Sequence, residues 1–524
     1  VFKIEIACNF IYLIEENNMR KISRRDFFKK TGATALLAGA VTTGILSATE
    51  ETQAQQFPKW DEEYDVIVIG SGFAGLSAAV EALDNGAKVA VIEKMPMFGG
   101  NSTINGGGFA AVNSSLQKKL GITDSPDLLY ADMFKAGLGL NYPKQARMIA
   151  EKSGETFEWL QSYIGVKFKD TIAQFGGHSV PRTHTTLTQS GSAIVRPLYE
   201  TAKAKGAELK KKTKFVKYFL DSNGGVAGIS VQTGYNFKDD SYKSVLNIRA
   251  KKGVVMASGG FGADVNFRLT QDPRLTVEVD TTNQPGATSE CLVEMLSMVE
   301  ATPVQLSWIQ LGPWASPDEK GFGLTPIFSA YASFPNGVMI DPSTGKRFVN
   351  ELADRKVRAD AILKTGHICL TFCDSEGVKP AAHVLDTLIK NKVVYKFDTL
   401  AELALHYDVP LKELEAQIKR YNSYVKSKND QEFQKPFELH NATVEKAPYY
   451  CARLWPKVHH CMGGVRITTE AEVINIRTEK PIPGLYAAGE SAGGTHGACR
   501  LGTCAIPDCV IFGRIAGRNA ARRS

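Results

Sequence analysis

Val66-Ile67-Val68-Ile69-Gly70-Ser71-Gly72-Phe73-Ala74-Gly75 decides the fold. A β-branched run leads into G-x-G-x-x-G and then into Leu76–Ala82, so the stretch reads strand, tight turn, helix. Lys88-Val89-Ala90-Val91-Ile92-Glu93 reads as a second, parallel strand ending in an acid. Gly70, Gly72 and Gly75 let the backbone turn sharply and approach a pyrophosphate at the positive end of the helix. Glu93 lies about 20 residues past the glycines, where a carboxylate accepts from a ribose hydroxyl. An ordinary βαβ turn also carries glycine. Strand, glycines, helix, strand and acid in register imply a dinucleotide site.

The chain has 524 residues, enough for two or more domains with sizeable cores. Its 43% hydrophobic and 22% charged residues fit a globular body. Net charge is +7, and +3 of it falls in the first 49 residues. The weakly basic remainder makes no case for nucleic acid.

Met19 reads as a start, with residues 1–18 upstream of it. Ser23-Arg24-Arg25-Asp26-Phe27-Phe28-Lys29 and the apolar Ala33–Leu46 resemble a twin-arginine export signal. The other reading is a membrane anchor, but Thr31–Thr49 is rich in Gly, Ala and Thr and makes a poor spanning helix. Cleavage among Ala48–Gln56 and a periplasmic or otherwise exported protein are expected. Nine cysteines form no C-x-x-C or C-x-x-C-H, so neither an attached haem nor a ferredoxin-like cluster is expected. Cys499, Cys504 and Cys509 recur every five residues, which suits packing beside a cofactor better than a metal. No metal site is expected.

Along the chain, Gly99–Gly108 is dense in glycine, amides and hydroxyls, as suits backbone pressed against a phosphate or a flat ring. Helices are expected over Ser125–Trp159 and 192–206. Strands are expected around Lys214–Leu220, Val226–Thr233 and Val245–Arg249, and a separate buried strand at Lys252–Ala257 returns the chain to the nucleotide sheet. Past Leu269 the pattern changes, with helices near 353–365 and 398–427. A strand ends at Gly489-Glu490, and residues 503–522 close the chain as a helix. The predicted organisation is a signal and linker over 1–56, a nucleotide-binding domain over 57–269 and 446–524, and an inserted domain over 270–445.

Three motifs then resemble the FAD-binding motifs of the fumarate reductase/succinate dehydrogenase flavoprotein family: Gly70–Gly75, Gly99-Gly100-Asn101-Ser102 and Ala487-Ala488-Gly489-Glu490. Gly345–Glu351, Val458–Gly464 and His496–Gly502 resemble its soluble branch, which includes flavocytochrome c fumarate reductases and urocanate reductases. The match runs from Asp65 to Gly517 in motif order. The resemblance implies an α/β fold: a Rossmann-like FAD-binding domain of glutathione-reductase type with an inserted α+β capping domain. It implies non-covalent FAD, because Ser102-Thr103-Ile104-Asn105 stands where membrane-bound members carry a linking histidine. The flavocytochromes' haem domain and any FMN domain are missing from the match, so a separate electron-donor protein of cytochrome c or flavoprotein type is expected. The FAD contacts it implies are Gly70, Gly72, Ala74, Gly75, Glu93, Asn101, Ser102, Gly106, Gly107, Glu290, His460, Glu490, Ala505 and Ile506. At Glu290 the family usually has aspartate.

The implied reaction reduces a carbon–carbon double bond beside a carboxylate, in anaerobic respiration. Arg500 and His459 are implied to hold the carboxylate, with Gly107 and Tyr331 on the substrate side, and Arg355 to be the proton donor. Chemistry alone would not choose an arginine acid. The other reading of Arg355 is a surface helix arginine paired with Asp354 or Asp360. The sequence departs from the fumarate pattern where a second carboxylate is held: Gly312, Ala330-Tyr331 and Phe334 replace the polar grip. With Trp308 or Trp314 nearby, an enoate with an apolar or aromatic far end is expected, and urocanate stays open. The alternative is a flavin dehydrogenase of another substrate, such as a 3-ketosteroid.

Overall fold

The structure, a computed structural model, describes residues 57–437 and 442–524. The export signal and its cleavage site fall in 1–56, outside the described residues. Among the described residues no helix is long and apolar enough to cross a membrane.

Strand Glu62–Ile69 sits inside a mixed sheet ordered Glu472–Ile474, Pro481–Ala487, Ser244–Met256, Glu62–Ile69, Val89–Glu93, Glu208–Lys211. Its neighbours on both sides run parallel to it, with Val66 opposite Val89 and Gly253. Val66, Ile67 and Val68 are fully buried, as a parallel strand covered on both faces requires. Helix Phe73–Asp84 follows, and the closing helix Ala505–Arg522 packs on it. Gly513 and Gly517 of the closing helix lie directly against the carbonyls of Ala74 and Ala78, an approach that any side chain would block.

The expected strands Val245–Arg249 and Lys252–Ala257 are one 13-residue strand, Ser244–Met256. Its first half pairs antiparallel with Val226–Thr233, and its second half runs parallel to Pro481–Ala487. The lysines and glycine at 251–253 therefore mark a change of partner, not a break. Ser125–Trp159 is likewise two helices, Pro126–Ala136 and Pro143–Ser162.

A second sheet is antiparallel, in the order Lys346–Arg347, Gly337–Asp341, Cys369–Cys373, Tyr449–Leu454, Val394–Phe397. Strand Tyr449–Leu454 pairs here, so this sheet continues past residue 445, where the sequence reading had returned the chain to the nucleotide-binding part. The helix expected over 398–427 is two, Leu400–Tyr407 and Leu411–Ser427, separated by a left-handed Asp408 and by Pro410. Helix Ala382–Lys390 is additional.

Two smaller pieces bring the site together. Ile309–Gly312 pairs antiparallel with Lys457–Cys461, placing Gln310 opposite His460. Helix Arg355–Thr365, capped by the Asp354 carboxylate accepting from Val357 N–H, lies against that ribbon.

A three-stranded sheet carries His184, which is fully buried against Phe157 with ring centroids 4.1 Å apart. Neither ring nitrogen has a hydrogen-bond partner, and burial pushes its pKa down to about 4. The folded state thus disfavours a proton that the unfolded chain accepts near pH 6.5. Stability from this group is intact above pH 6.5 and is lost as pH falls toward 4, by about 3 kcal/mol in all. Denaturation followed from pH 8 to pH 4 should show that decline, and His184→Leu should make it shallower by this group's share. An unchanged slope would refute the assignment.

Candidate active site

Two adjoining cavities lie between the sheets, of about 130 Å³ and about 170 Å³. They share Phe73, Asn101, Ser102, Glu490 and Cys509.

The smaller one follows the glycine turn. Gly70, Gly72, Ala74, Glu93, Asn101, Ser102, Glu290 and Glu490 all line it. Gly70 has φ +100°, and a Cβ there would lie 2.3 Å from the Ala257 carbonyl, so only glycine fits. Gly72 offers no side chain to cap helix Phe73–Asp84; Phe73 N–H donates to the Ser102 hydroxyl at 3.0 Å, and Gly72, Phe73 and Ala74 line the cavity at this helix end. Uncapped donors at a positive helix end fit a pyrophosphate. Glu93 forms the opposite wall, oriented by the Ser71 hydroxyl at 2.5 Å and Met95 N–H at 2.9 Å. Glu290 accepts from Lys94 at 3.2 Å and Lys214 at 3.0 Å. Burial opposes its ionisation, yet the two ammonium groups hold its carboxyl below the usual range. Gly75 is not in the wall; it packs against the Gly70 carbonyl and sets the helix on the strand.

The larger cavity holds the rest of the predicted set: Gly106, Tyr331, Arg355, His459, His460, Arg500, Ala505 and Ile506. Gly107 is not in the wall. Its neighbours Gly106 and Gly108 are, while Gly107 turns toward Thr186 and Ser190. Trp308 does not line it either; Trp314 does. Phe334 sits behind Arg355, outside this cavity.

Arg500 is buried, and its Nη2 donates to His459 Nε2 at 3.1 Å. The other ring nitrogen, Nδ1, meets the Thr282 hydroxyl at 2.8 Å. Burial first, then the charges of Arg355 and Arg500, hold the His459 pKa well below the ordinary imidazole value, so the ring is neutral. With Nε2 accepting from a guanidinium, the proton sits on Nδ1 and is donated to Thr282. His460 is neutral for the same reasons, with burial the largest. Its Nδ1 lies 3.5 Å from the Glu490 carboxylate, which burial pushes up to about 7.

Arg355 donates from Nη1 to Gln310 Oε1 at 3.1 Å. The Gln310 amide nitrogen donates to the Arg500 carbonyl at 2.8 Å and contacts Cys499 Sγ at 3.0 Å. One buried amide thus fixes Arg355 relative to the chain at Arg500. Asp354 is used as the helix cap, and Asp360 pairs with Lys356. The surface ion-pair reading of Arg355 therefore fails. Burial, then the charges of Arg500 and Arg358, push the Arg355 pKa well below the ordinary guanidinium value. Among the described residues no carboxylate pairs with Arg355 or Arg500, and Arg500 Nε has no hydrogen-bond partner.

The far wall is apolar. Trp314 meets His459 edge-on at 4.7 Å and Phe322 in a tilted contact at 5.5 Å, and Arg355 lies over its ring at 5.6 Å. A Cβ at Gly312 would lie 2.9–3.1 Å from the Trp314 ring. The indole therefore occupies the space a side chain at position 312 would take.

Behind the site, Arg182 is fully buried, forked onto Asp124 at 2.8 and 2.9 Å, and it donates to His178 Nδ1 at 3.0 Å. His178 Nε2 donates in turn to the Gly502 carbonyl at 2.7 Å. This network braces the Arg500–Thr503 turn. The sequence signal for this network is a histidine and an arginine four residues apart, His178 and Arg182.

Comparison with known proteins shows the family of the chain. Residues 65–506 match the FAD binding domain family. The acrylate reductase flavoprotein subunit of Shewanella woodyi is 44% identical over 96% of this chain and 99% of its own length. The fumarate reductase (cytochrome) of Shewanella frigidimarina is 36% identical over 90% of this chain and 80% of its own. The chain belongs to the fumarate reductase-like family of FAD-binding flavoproteins. Its fold resembles the open conformation of a flavocytochrome c3 fumarate reductase, with TM-score 0.69 and 30% identity over 97% of this chain and 82% of that one. As a member of that family it is an FAD-dependent oxidoreductase of carbon–carbon double bonds.

Proposed function

We propose that the chain reduces the double bond of a short monocarboxylate enoate of the acrylate type. One observation carries the reading. Two guanidiniums without carboxylate partners, Arg355 and Arg500, face a cavity whose far end is closed by Trp314. An unpaired buried cation is costly, and an anionic substrate relieves the cost. The Arg500 fork and His459 would take the one carboxylate. The Thr282 hydroxyl accepts or donates, so the His459 proton can move to Nε2 and hydrogen-bond that carboxylate. Polarising it draws electron density from the double bond. FAD held in these cavities would supply the hydride chemistry, with the far carbon as acceptor. Arg355, held by Gln310, protonates the carbon next to the carboxylate.

The apolar wall sharpens the expected substrate. A second carboxylate would meet the Trp314 and Phe322 rings, which carry no cation and only the neutral indole N–H as a donor, and this disfavours fumarate. An aryl group has to displace the indole, which disfavours cinnamate and urocanate. Acrylate needs neither. The acrylate reductase relative at 44% identity supports the same choice. We further propose that the protein works after twin-arginine export, in anaerobic respiration, with electrons arriving from a separate donor protein.

The test is reoxidation of the FAD-loaded, viologen-reduced protein by acrylate, methacrylate, fumarate, urocanate, cinnamate and an enone steroid. Acrylate should exceed fumarate in kcat/KM by about 10²-fold or more, the scale on which a site discriminates against an unmatched polar group. Activity on the enone but on no carboxylate would establish the dehydrogenase alternative instead.

A further inference from the structure

A third cavity, of about 30 Å³, lies behind Arg355. Arg355, Trp314 and Ala330 form walls of both this cavity and the substrate cavity, and Arg358, Gln174 and Phe334 line its other side. That volume holds one or two waters. Arg355 and Arg358 stand three residues apart on helix Arg355–Thr365, hence on one face.

The placement of Arg358 is electrostatically expensive. It is 6% exposed, and among the described residues no carboxylate pairs with it. Its Nη1 donates to the Glu351 carbonyl at 3.2 Å, and its guanidinium lies 4.9 Å over the Phe334 ring. The Glu351 carboxylate is not available to it, being forked onto Arg347. Two like charges in the first turns of one helix also oppose the helix dipole.

We propose that Arg358 returns a proton to Arg355 after each turnover, through water in the cavity they share. This rests on the reading of Arg355 as the acid. In the reaction an Arg355 N–H bond breaks and a substrate C–H bond forms, leaving a neutral guanidine. An Arg358 N–H bond then breaks, its proton passes through water to Arg355, and Arg358 recovers a proton from solvent. No electrons move in this return step. Burial pushes the Arg358 pKa down to about 10, which eases a transient proton loss. Ala330, Tyr331 and Phe334 offer no carboxylate or guanidinium on the substrate side, so Arg358 is the charged group that lines this small cavity with Arg355.

The return step separates single from multiple turnovers. Arg358→Gln enzyme, FAD-loaded and pre-reduced, should reoxidise with acrylate within about twofold of the parent rate, because Arg355 starts protonated. Steady-state turnover with excess viologen reductant should fall about tenfold or more, the lower range of proton-transfer contributions. Guanidinium added at millimolar concentration, or Arg358→Lys, should restore part of it. Unchanged steady-state turnover would overturn the proposal. So would an equal loss in both measurements, which would make Arg358 a determinant of Arg355 acidity or of packing. Should Arg358→Gln not accumulate with FAD, the unmodified enzyme decides: D₂O should slow steady-state turnover more than the single turnover, and equal effects overturn the relay. Arg355→Gln is the parallel control. If it keeps turning over, the acid assignment itself fails; if it is dead while Arg358→Gln is normal, only the relay fails.

Discussion

Arg355→Gln is expected to lower turnover by about 10³-fold or more while FAD stays bound, the upper range for loss of a positioned general acid. Arg355 lines the substrate cavity and the small cavity behind it, but not the cavity formed by the glycine turn. FAD content and flavin absorbance should therefore match the parent. Glutamine keeps a donor near Gln310 but has no proton to give to carbon. The loss should appear in the first turnover of pre-reduced enzyme, unlike that of Arg358→Gln. Lysine at 355 restores a charge without the planar fork that meets Gln310 and Trp314, so it should recover substrate affinity more than rate. Stopped-flow reoxidation by acrylate decides. Turnover within tenfold of the parent would remove Arg355 from the chemistry.

The nucleotide half of the fold is legible because local signals there are redundant. Val66–Ile69 is apolar at every position, the glycines fix the turn, and Glu93 closes the unit. The partner change in Ser244–Met256 is not legible, because it depends on which strands arrive from 226–233 and 481–487. In the site, motif residues such as His459, Arg355 and Arg500 converge as expected. What surrounds them comes from contacts across long sequence separations. Thr282 reaches His459 across 177 positions, and Gln310 reaches the Arg500 carbonyl across 190. Gly312 shows which side chain is missing from the fumarate pattern. What fills the space stands two residues later, and only the turn geometry brings the Trp314 ring back over it. Arg358 carries no motif at all; burial without a carboxylate partner distinguishes it.

Arg500→Ala is expected to lower kcat/KM for acrylate by about 10²- to 10³-fold, as removal of one member of a buried ion pair does. Most of the loss should fall on KM. Gln310 bonds the backbone carbonyl at position 500, so alanine there leaves the amide, and with it Arg355, in place. A smaller kcat loss should follow because an unclamped carboxylate withdraws less electron density from the double bond. His459 loses the guanidinium that its Nε2 now accepts from. One of the cationic charges that depress its pKa disappears with it, so the imidazole becomes easier to protonate. A protonated His459 attracts a carboxylate, so the variant should regain substrate affinity as pH falls, a dependence the parent lacks. The same substitution separates the two chemistries open to this fold. An enone carries no carboxylate, so a steroid-type reductase would lose little at position 500, whereas an enoate reductase loses its anchor. Steady-state kinetics of Arg500→Ala with acrylate from pH 8 to pH 5.5 measure both effects, and an unchanged KM would remove Arg500 from substrate binding.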